Sequence, residues 1–177
     1  MAGLIKLYGH HGSNEAIVAY NDAFVDDSLH LGEVGEGLAI ALSRTTLGRI
    51  YNAARSVRMA RWAFELALEY AQSRETFGQR IFEYRAISFP LAEVATEILA
   101  AHLMGLHTAH LVDQGKPALK EAAMMKNYSV ATAVKVIDQA ARTFGGIGIT
   151  NESLCSRHRR SCGPSSSLTA SRRCSNG

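Results

Sequence analysis

The residues between about Glu36 and Gln72 most narrowly limit how this chain can fold. Apolar side chains recur there every seven residues, with a companion line of alanines three residues further on. This heptad-like pattern predicts one long amphipathic helix, and its alanines predict close packing against another helix. The first line holds Ile50, Val57, Phe64 and Ala71, and the second holds Ala53, Ala60 and Ala67. The opposite face is polar, with Arg55, Arg61, Glu65, Glu69 and Gln72.

Two more helices follow, and glycine and proline residues mark their limits. The second helix is predicted to begin near Ser88, an N-cap candidate, with Pro90 in its first turn. Gly115 and Pro117 predict the end of that helix and the first turn of a third helix. The pair Gly145–Gly146 predicts the end of the third helix. Three helices with short connections predict a mainly α fold, an up-down antiparallel helical bundle.

Both later helices have one apolar face at helical spacing, as packing against a neighbouring helix requires. In the second helix this face holds Ile87, Leu91, Val94, Ile98, Ala101 and Gly105. In the third helix it holds Ala118, Ala122, Met125, Ser129, Val136 and Ala140. The adjacent Met124 and Met125 are interpreted as flexible core filling.

The first 33 residues have no helical periodicity and predict a short β segment. Residues 16–20 and 23–25 are predicted strands, and Asn21–Asp22 is the predicted turn between them. The glycines just after this segment do not fit a phosphate-binding loop, so we expect a turn that opens the long helix. These glycines are Gly32, Gly35 and Gly37.

No metal site is predicted at five of the histidines, because we find no carboxylate or cysteine ligand accompanying them. We expect solvated or structural histidines at positions His10, His11, His102, His107 and His110. The cysteines lack CxxC spacing, so neither zinc nor a disulfide is indicated. They are Cys155, Cys162 and Cys174.

The composition changes abruptly after Glu152. Residues 153–177 contain eight serines, five arginines and all three cysteines but no aspartate or glutamate, so they account for the net charge of +3. This composition predicts a disordered segment. One interpretation is an electrostatic RNA- or phosphate-binding tract, but no aromatic residues are interleaved with the arginines. We favour the other interpretation, an aberrant or frame-shifted end.

A short loop follows the long helix and contains the best candidates for binding. Arg74 offers a planar set of donors that suits a phosphate or pyrophosphate. Thr76 adds a hydroxyl, and Gly78 allows a close approach of the backbone to a ligand. The alternative is a polar turn between helices with one solvated arginine.

Four motifs in this order resemble the carboxy-terminal domain of the acyl-CoA dehydrogenase family. They are VGEG at 34–37, LGRI at 47–50, EYAQSRETFG at 69–78 and FGGIG at 144–148. The resemblance implies the end of a β-domain or linker at 1–33 and a helical bundle at 34–152, and the change in composition separates a tail at 153–177. It also implies a fourth bundle helix, which we do not find in the sequence after Glu152.

The resemblance implies FAD as cofactor and an acyl-CoA thioester as substrate. Residues that match flavin-contacting positions, some of them toward a neighbouring subunit, are Arg74, Thr76, Phe77, Arg85, Arg142, Gly145 and Gly146. Arg49 matches an arginine on the substrate side of the long helix, with a surface ion pair as the alternative. Tyr84-Arg85 departs from a frequent His-Gln and Arg142 from a common glutamine, although arginine can still donate to phosphate.

In the family, a glutamate removes the substrate α-proton while a hydride passes from Cβ to the flavin. That glutamate lies either in a Glu-Gly-Thr segment, which residues 153–177 lack, or at the position of Gly48. Neither place holds a carboxylate, so we assign no catalytic residue. The resemblance therefore implies a flavin-binding and oligomerisation domain of an acyl-CoA dehydrogenase that is inactive alone. The alternative is a non-catalytic helical scaffold.

The resemblance also implies a homo-oligomer, either a dimer or a tetramer, and no nucleic-acid partner is expected. No run of eighteen apolar residues occurs, so no membrane span is predicted. The amino terminus lacks a secretory apolar region. We therefore expect a cytoplasmic protein, or a mitochondrial or peroxisomal one if the source is eukaryotic.

Overall fold

Three long helices make up most of the structure, a computed structural model that describes residues 3–5 and 15–150. Their bounds are Gly37–Ser73 for α1, Arg85–Asp113 for α2 and Leu119–Phe144 for α3. Helix α2 runs antiparallel to its two neighbours, which confirms the predicted mainly α, up-down bundle. The predictions for His10, His11, the three cysteines and the rest of the 153–177 tail fall outside the described residues.

The predicted alanine seam lies at the centre of the core. Five alanines of α1 are completely buried, and only Val57 among the buried residues of this helix is larger. Because alanine has no side chain beyond Cβ, this seam lets α3 approach α1 closely. The buried alanines are the predicted Ala53, Ala60, Ala67 and Ala71, together with Ala63, which was not predicted. Ile50 and Phe64 of the predicted seam are half-buried, and the polar residues predicted for the opposite face are exposed.

Larger side chains from α2 and α3 close the core around the seam. Leu91 of α2 and Ile137 of α3 pack with the last alanines of α1 in one cluster. A second cluster, one to two turns further from the carboxyl end of α1, contains Val94, Ile98 and Val136. Every residue predicted for the packing face of α3 is buried, as are most of those predicted for α2. Met125 is core filling as predicted, but Met124 is 52% exposed, so that half of the prediction was wrong.

Helix α2 begins three residues before the predicted N-cap at Ser88. The Tyr84 carbonyl accepts hydrogen bonds from the N–H groups of Ile87 (2.9 Å) and Ser88 (3.0 Å), so the backbone starts the helix without a side-chain cap. Pro90 consequently lies within the helix rather than at its start. The Ser88 hydroxyl instead donates back to the Tyr84 carbonyl at 3.3 Å.

Helix α2 is terminated by a glycine, as predicted. Gly115 adopts a φ of +67°, and the N–H of Lys116 donates to the Leu111 carbonyl at 3.0 Å. This left-handed turn satisfies carbonyls at the end of α2. Pro117 lies before α3 rather than in its first turn, because the N-cap position belongs to Ala118.

The amino-terminal segment forms a two-stranded antiparallel sheet, but its pairing was not predicted. Strand β1 (Gly3–Ile5) pairs with β2 (Glu15–Ile17), with Leu4 opposite Ala16. The predicted strand at 23–25 was wrong: those residues have no ladder partner, because the partner of β2 precedes it in the chain. Glycines at φ +76° (Gly32) and +99° (Gly35) form the turn that opens α1, as expected.

The outward face of α2 is unusually apolar for a helix at a surface. Leu99, Leu103 and Leu106 are each more than half exposed, although the inner seam of the same helix packs on α1 and α3. Among the described helices, α2 alone is long and apolar enough to cross a membrane by length and composition. The prediction of no membrane span had required an unbroken apolar run, which is a stricter criterion. Helices that are apolar all round are typical of the core of a larger protein or of a membrane span.

Candidate functional site

The residues proposed to contact a flavin gather at one end of the bundle. The up-down order brings the carboxyl end of α1, the amino end of α2 and the carboxyl end of α3 to the same end. The Tyr70 and Phe144 rings, one from each of α1 and α3, lie 4.8 Å apart between centroids at an angle of 44°. This tilted aromatic pair joins the two carboxyl ends and lies above the Leu91–Ile137 cluster.

A small hairpin between α1 and α2 carries two of these residues, Thr76 and Phe77. Strands β3 (Glu75–Thr76) and β4 (Gln79–Arg80) pair antiparallel around a two-residue turn. Both turn residues have positive φ, +50° at Phe77 and +84° at Gly78, as tight hairpin turns require. Positive φ is unusual for a bulky residue, and the Phe77 side chain is 99% exposed. The bundle therefore presents an aromatic ring on a constrained turn with no described residue covering it.

Arg74 lies between α1 and the hairpin, and hydrogen bonds fix its backbone on both sides. Its N–H donates to the Tyr70 carbonyl at 2.8 Å, which closes the last turn of α1. Its carbonyl accepts from the Ile81 N–H at 2.9 Å, where the chain leaves the hairpin. The Arg74 side chain is exposed. Its main chain is thus held while its guanidinium remains available to a ligand.

The carboxyl end of α3 contributes exposed glycine backbone. Gly145 ends the helix at φ +62° and ψ −133°, and both Gly145 and Gly146 are exposed. The chain then turns through a 3-10 helix (Gly145–Ile149) and packs back against α3 at the buried Gly148. A Cβ built at Gly148 would overlap the backbone carbonyl of Ala141. That contact fixes where the preceding glycines lie.

Arginines are numerous at this end of the bundle, although nearby carboxylates offset their charge. Arg85, at the first position of α2, is exposed, and so is Arg80 of the hairpin. Arg142 is exposed but pairs with Asp138 one turn earlier, its Nε lying 2.9 Å from Oδ2. Glu69, Glu75 and Glu83 are exposed acidic neighbours in sequence and reduce the local positive charge. The arginines still offer more planar donor groups than one bound phosphate needs.

Arg49 does not join this group. It is half-buried on α1, twenty-five residues before Arg74, which corresponds to about 37 Å along a helix. Gly48 beside it is exposed, and a Cβ added there would meet nothing within 4 Å. The structure therefore separates the predicted substrate residue from the predicted cofactor residues by most of the length of α1.

The residues at the hairpin end suit a ligand that has an anionic linker and a flat ring system. Exposed guanidinium groups match phosphates. The uncovered Phe77 ring offers a face for stacking, and the bare glycine backbone at 145–146 allows a close approach. FAD has both features, a pyrophosphate and two ring systems. The described residues bring no three histidine, cysteine, aspartate or glutamate side chains together in a way that could hold a metal ion.

The structural roles of two residues at this end were not identified from the sequence. The Tyr84 hydroxyl donates to the Thr76 carbonyl at 2.9 Å across the hairpin. Gly148 is the point at which the 3-10 helix packs on α3. Gly148 was within a recognised motif, and its spacing after the glycine pair was the available signal. The sequence offered no signal for the contact made by Tyr84.

Comparisons with known proteins agree on one family. Residues 35–163 match the sequence model described as acyl-CoA dehydrogenase, C-terminal domain. The human short-chain specific acyl-CoA dehydrogenase, mitochondrial, is 34% identical over 152 residues, 86% of this chain. The structure of butyryl-CoA dehydrogenase from Megasphaera elsdenii superposes with a TM-score of 0.72 at 34% identity, covering 74% of this chain and 34% of that one. A structure described as PigA with FAD and proline gives a TM-score of 0.79 at 29% identity, covering 82% and 38%.

The chain corresponds to only part of these proteins. It spans 37% of the length of the human relative and a similar share of the others. The matched part is the helical region that carries the hairpin, the seam and the glycines.

Proposed function

The chain belongs to the acyl-CoA dehydrogenase family, and from that premise we propose that it is the flavin-binding and oligomerisation domain of an FAD-dependent acyl-CoA dehydrogenase. Such an enzyme oxidises a CH–CH group of an acyl-CoA thioester. The observation that carries the proposal is the meeting of the hairpin, the amino end of α2 and the carboxyl end of α3. Together they present Arg74, Thr76, Phe77, Arg85, Arg142, Gly145 and Gly146 at one end of the bundle.

In this proposal the arginines and the glycine backbone bind FAD, and no described residue takes part in the oxidation of the substrate. Arg74 and Arg85 donate to the phosphates of FAD, and Thr76 and Phe77 lie against its rings or ribityl chain. Gly145–Gly146 lets the main chain of α3 approach the same ligand. Arg142 would serve either this ligand or its Asp138 partner. When bound, FAD supplies the centre that accepts a hydride from the substrate.

We propose further that this domain does not turn over substrate alone. The position on α1 that holds the base in some family members is Gly48, which has no side chain and is exposed. Residues 153–177 contain no aspartate or glutamate that could replace it. Arg49 would contribute to the acyl-CoA side, far along α1 from the flavin residues. Proton removal therefore requires a carboxylate from elsewhere.

Assembly into a homo-oligomer, a dimer or a tetramer, is the second part of the proposed function. The exposed leucines of α2 form an apolar stripe at helical spacing, which a further helical layer would cover. Light scattering of the purified chain tests this part, and a monomeric mass at all concentrations would contradict it. We propose a cytoplasmic location, or a mitochondrial or peroxisomal one in a eukaryote.

The second candidate function is a non-catalytic helical scaffold. The same absent carboxylate at Gly48 favours it, together with the apolar stripe on α2. The two candidates differ in one simple property. A flavin-binding domain takes up FAD, whereas a scaffold remains colourless.

Titration of the purified chain with FAD, followed by flavin fluorescence, separates these candidates. We expect saturable binding that Arg74→Ala weakens about tenfold, as the loss of a charge-assisted hydrogen bond predicts. Arg55→Ala is the matched control, because Arg55 is an exposed arginine of the same helix, about 28 Å from Arg74. No binding, or equal weakening by both variants, would contradict the flavin site and favour the scaffold.

A further inference from the structure

We infer that Tyr84 is a positioning residue that holds the hairpin in the conformation in which Thr76 and Phe77 face a ligand. The inference rests on the proposed function, because the ligand it serves is the FAD of that proposal. It concerns a residue that lies outside the set of proposed flavin contacts. Tyr84 would act through the hairpin and not by touching the flavin.

The hairpin needs such support because it is very short. Its ladder consists of two residue pairs, Glu75 with Arg80 and Thr76 with Gln79. Isolated two-stranded hairpins are marginally stable even when longer. The turn also places Phe77 at positive φ, which is unfavourable for a bulky residue. Contacts from outside the ladder must therefore stabilise the turn that exposes the Phe77 ring.

Tyr84 supplies the contact nearest to the turn. Its hydroxyl donates to the Thr76 carbonyl at 2.9 Å, one residue before Phe77. The side chain is half-buried, so water competes only in part for that carbonyl. The other connection, from the Ile81 N–H to the Arg74 carbonyl, lies at the base of the hairpin.

The backbone of Tyr84 is itself anchored in the bundle. Its N–H donates to the Ile81 carbonyl at 3.2 Å, and its carbonyl accepts from the N–H groups of Ile87 and Ser88. One residue thus starts α2 with its main chain and holds the hairpin with its side chain. The position of the hairpin turn is thereby tied to the amino end of α2, where Arg85 follows directly. Tyr84 sets the spacing between Arg74, Phe77 and Arg85.

Removal of the hydroxyl should loosen the hairpin and leave the helices intact. In Tyr84→Phe the ring stays and only the hydrogen bond to Thr76 is lost. If the hairpin is ordered less often, the apparent affinity for a ligand falls by the same factor. We expect FAD binding to weaken about threefold to tenfold and hydrogen exchange of the amides at 75–80 to accelerate by a similar factor.

The test combines FAD titration, hydrogen exchange and circular dichroism on Tyr84→Phe and Tyr128→Phe. Tyr128 is a partly exposed tyrosine on α3 whose hydroxyl has no hydrogen bond among the described residues, so its variant should match the unaltered chain. Faster exchange at 75–80, weaker FAD binding and unchanged helical content in Tyr84→Phe alone support the inference. Unchanged exchange at 75–80 overturns it, whatever the flavin does.

Hydrogen exchange separates this inference from the proposed function, because it needs no flavin. If the unaltered chain binds no FAD, the proposed function fails, while faster exchange in Tyr84→Phe still supports the anchoring of the hairpin. If the chain binds FAD and Tyr84→Phe binds it equally well despite faster exchange, the flavin site stands and the positioning role is overturned.

Discussion

Replacement of Gly148 by alanine tests whether the carboxyl end of α3 is held as the structure shows. The added Cβ would overlap the carbonyl oxygen of Ala141 and lie 2.8 Å from its carbonyl carbon. These are backbone atoms of a helix, so they cannot rotate away as the end of a side chain could. Overpacking of this kind typically costs about 1–3 kcal/mol. The reduced entropy of the unfolded chain offsets about 0.4–1 kcal/mol of this cost, which leaves a net loss of about 1.3 kcal/mol at the middle of both ranges.

The measurement is thermal unfolding by circular dichroism, with Gly146→Ala as the matched control for stability. A Cβ at Gly146 meets nothing within 4 Å, so that variant should be as stable as the unaltered chain or slightly more so. For a chain of this size a loss of about 1.3 kcal/mol at Gly148 lowers Tm by about 3–5 °C. If only the 3-10 helix detaches, hydrogen exchange at 145–150 rises instead. Equal Tm and equal exchange in both variants would refute the packing of Gly148 on α3.

The remaining predictions concern the helices. Ala67→Leu should lower the free energy of unfolding in urea by about 1–3 kcal/mol, because the buried seam has no space for the larger side chain. Ala54→Leu, on the exposed face of α1, should leave it unchanged. Equal effects of the two variants would contradict the packing of the seam. The Lys135 ammonium donates to Glu97 at 2.6 Å, and that hydrogen bond, with help from Glu93, raises the pKa of Lys135 above its usual 10.5. Because the pKa of Lys135 is higher in the folded than in the unfolded state, the pairing stabilises the fold fully below the unfolded-state pKa. This stabilisation is lost as the pH rises through the folded-state pKa. Urea unfolding from neutral pH to about pH 11 should therefore lose part of its pH dependence in Lys135→Met, and an unchanged profile would contradict the pairing.

The sequence predicts the helices well because their determinants are local. The heptad spacing of alanines places α1 within one residue of its observed bounds, and Gly115 and Gly145 mark real helix ends. The start of α2 was missed because Ser88 and Pro90 resemble a helix start, whereas the carbonyl of Tyr84 begins the helix. Sequence rules for helix starts depend on capping side chains, whereas α2 begins with backbone hydrogen bonds alone.

Pairing between separate segments could not be predicted. Strand β1 is three residues long, and its partner lies ten residues further on, so no local pattern indicated the pair. At the candidate site, the sequence predicted which residues bind a ligand but not the contacts that hold those residues in place. The bond from Tyr84 to Thr76 and the contact of Gly148 with Ala141 depend on geometry between elements. Met124 was misassigned because adjacent residues on a helix point in directions about 100° apart.

The alanine seam of α1 has a consequence for the entropy of folding. Alanine has no side-chain rotamers to lose, so burial of Ala53, Ala60, Ala63, Ala67 and Ala71 fixes no χ angle. The apolar area buried by each alanine is small, and its stabilisation comes instead from close dispersion contacts between helix backbones. Such a face is insensitive to side-chain disorder but intolerant of added volume. Along this line of alanines, the longest helix of the bundle thus joins the core with no loss of side-chain freedom.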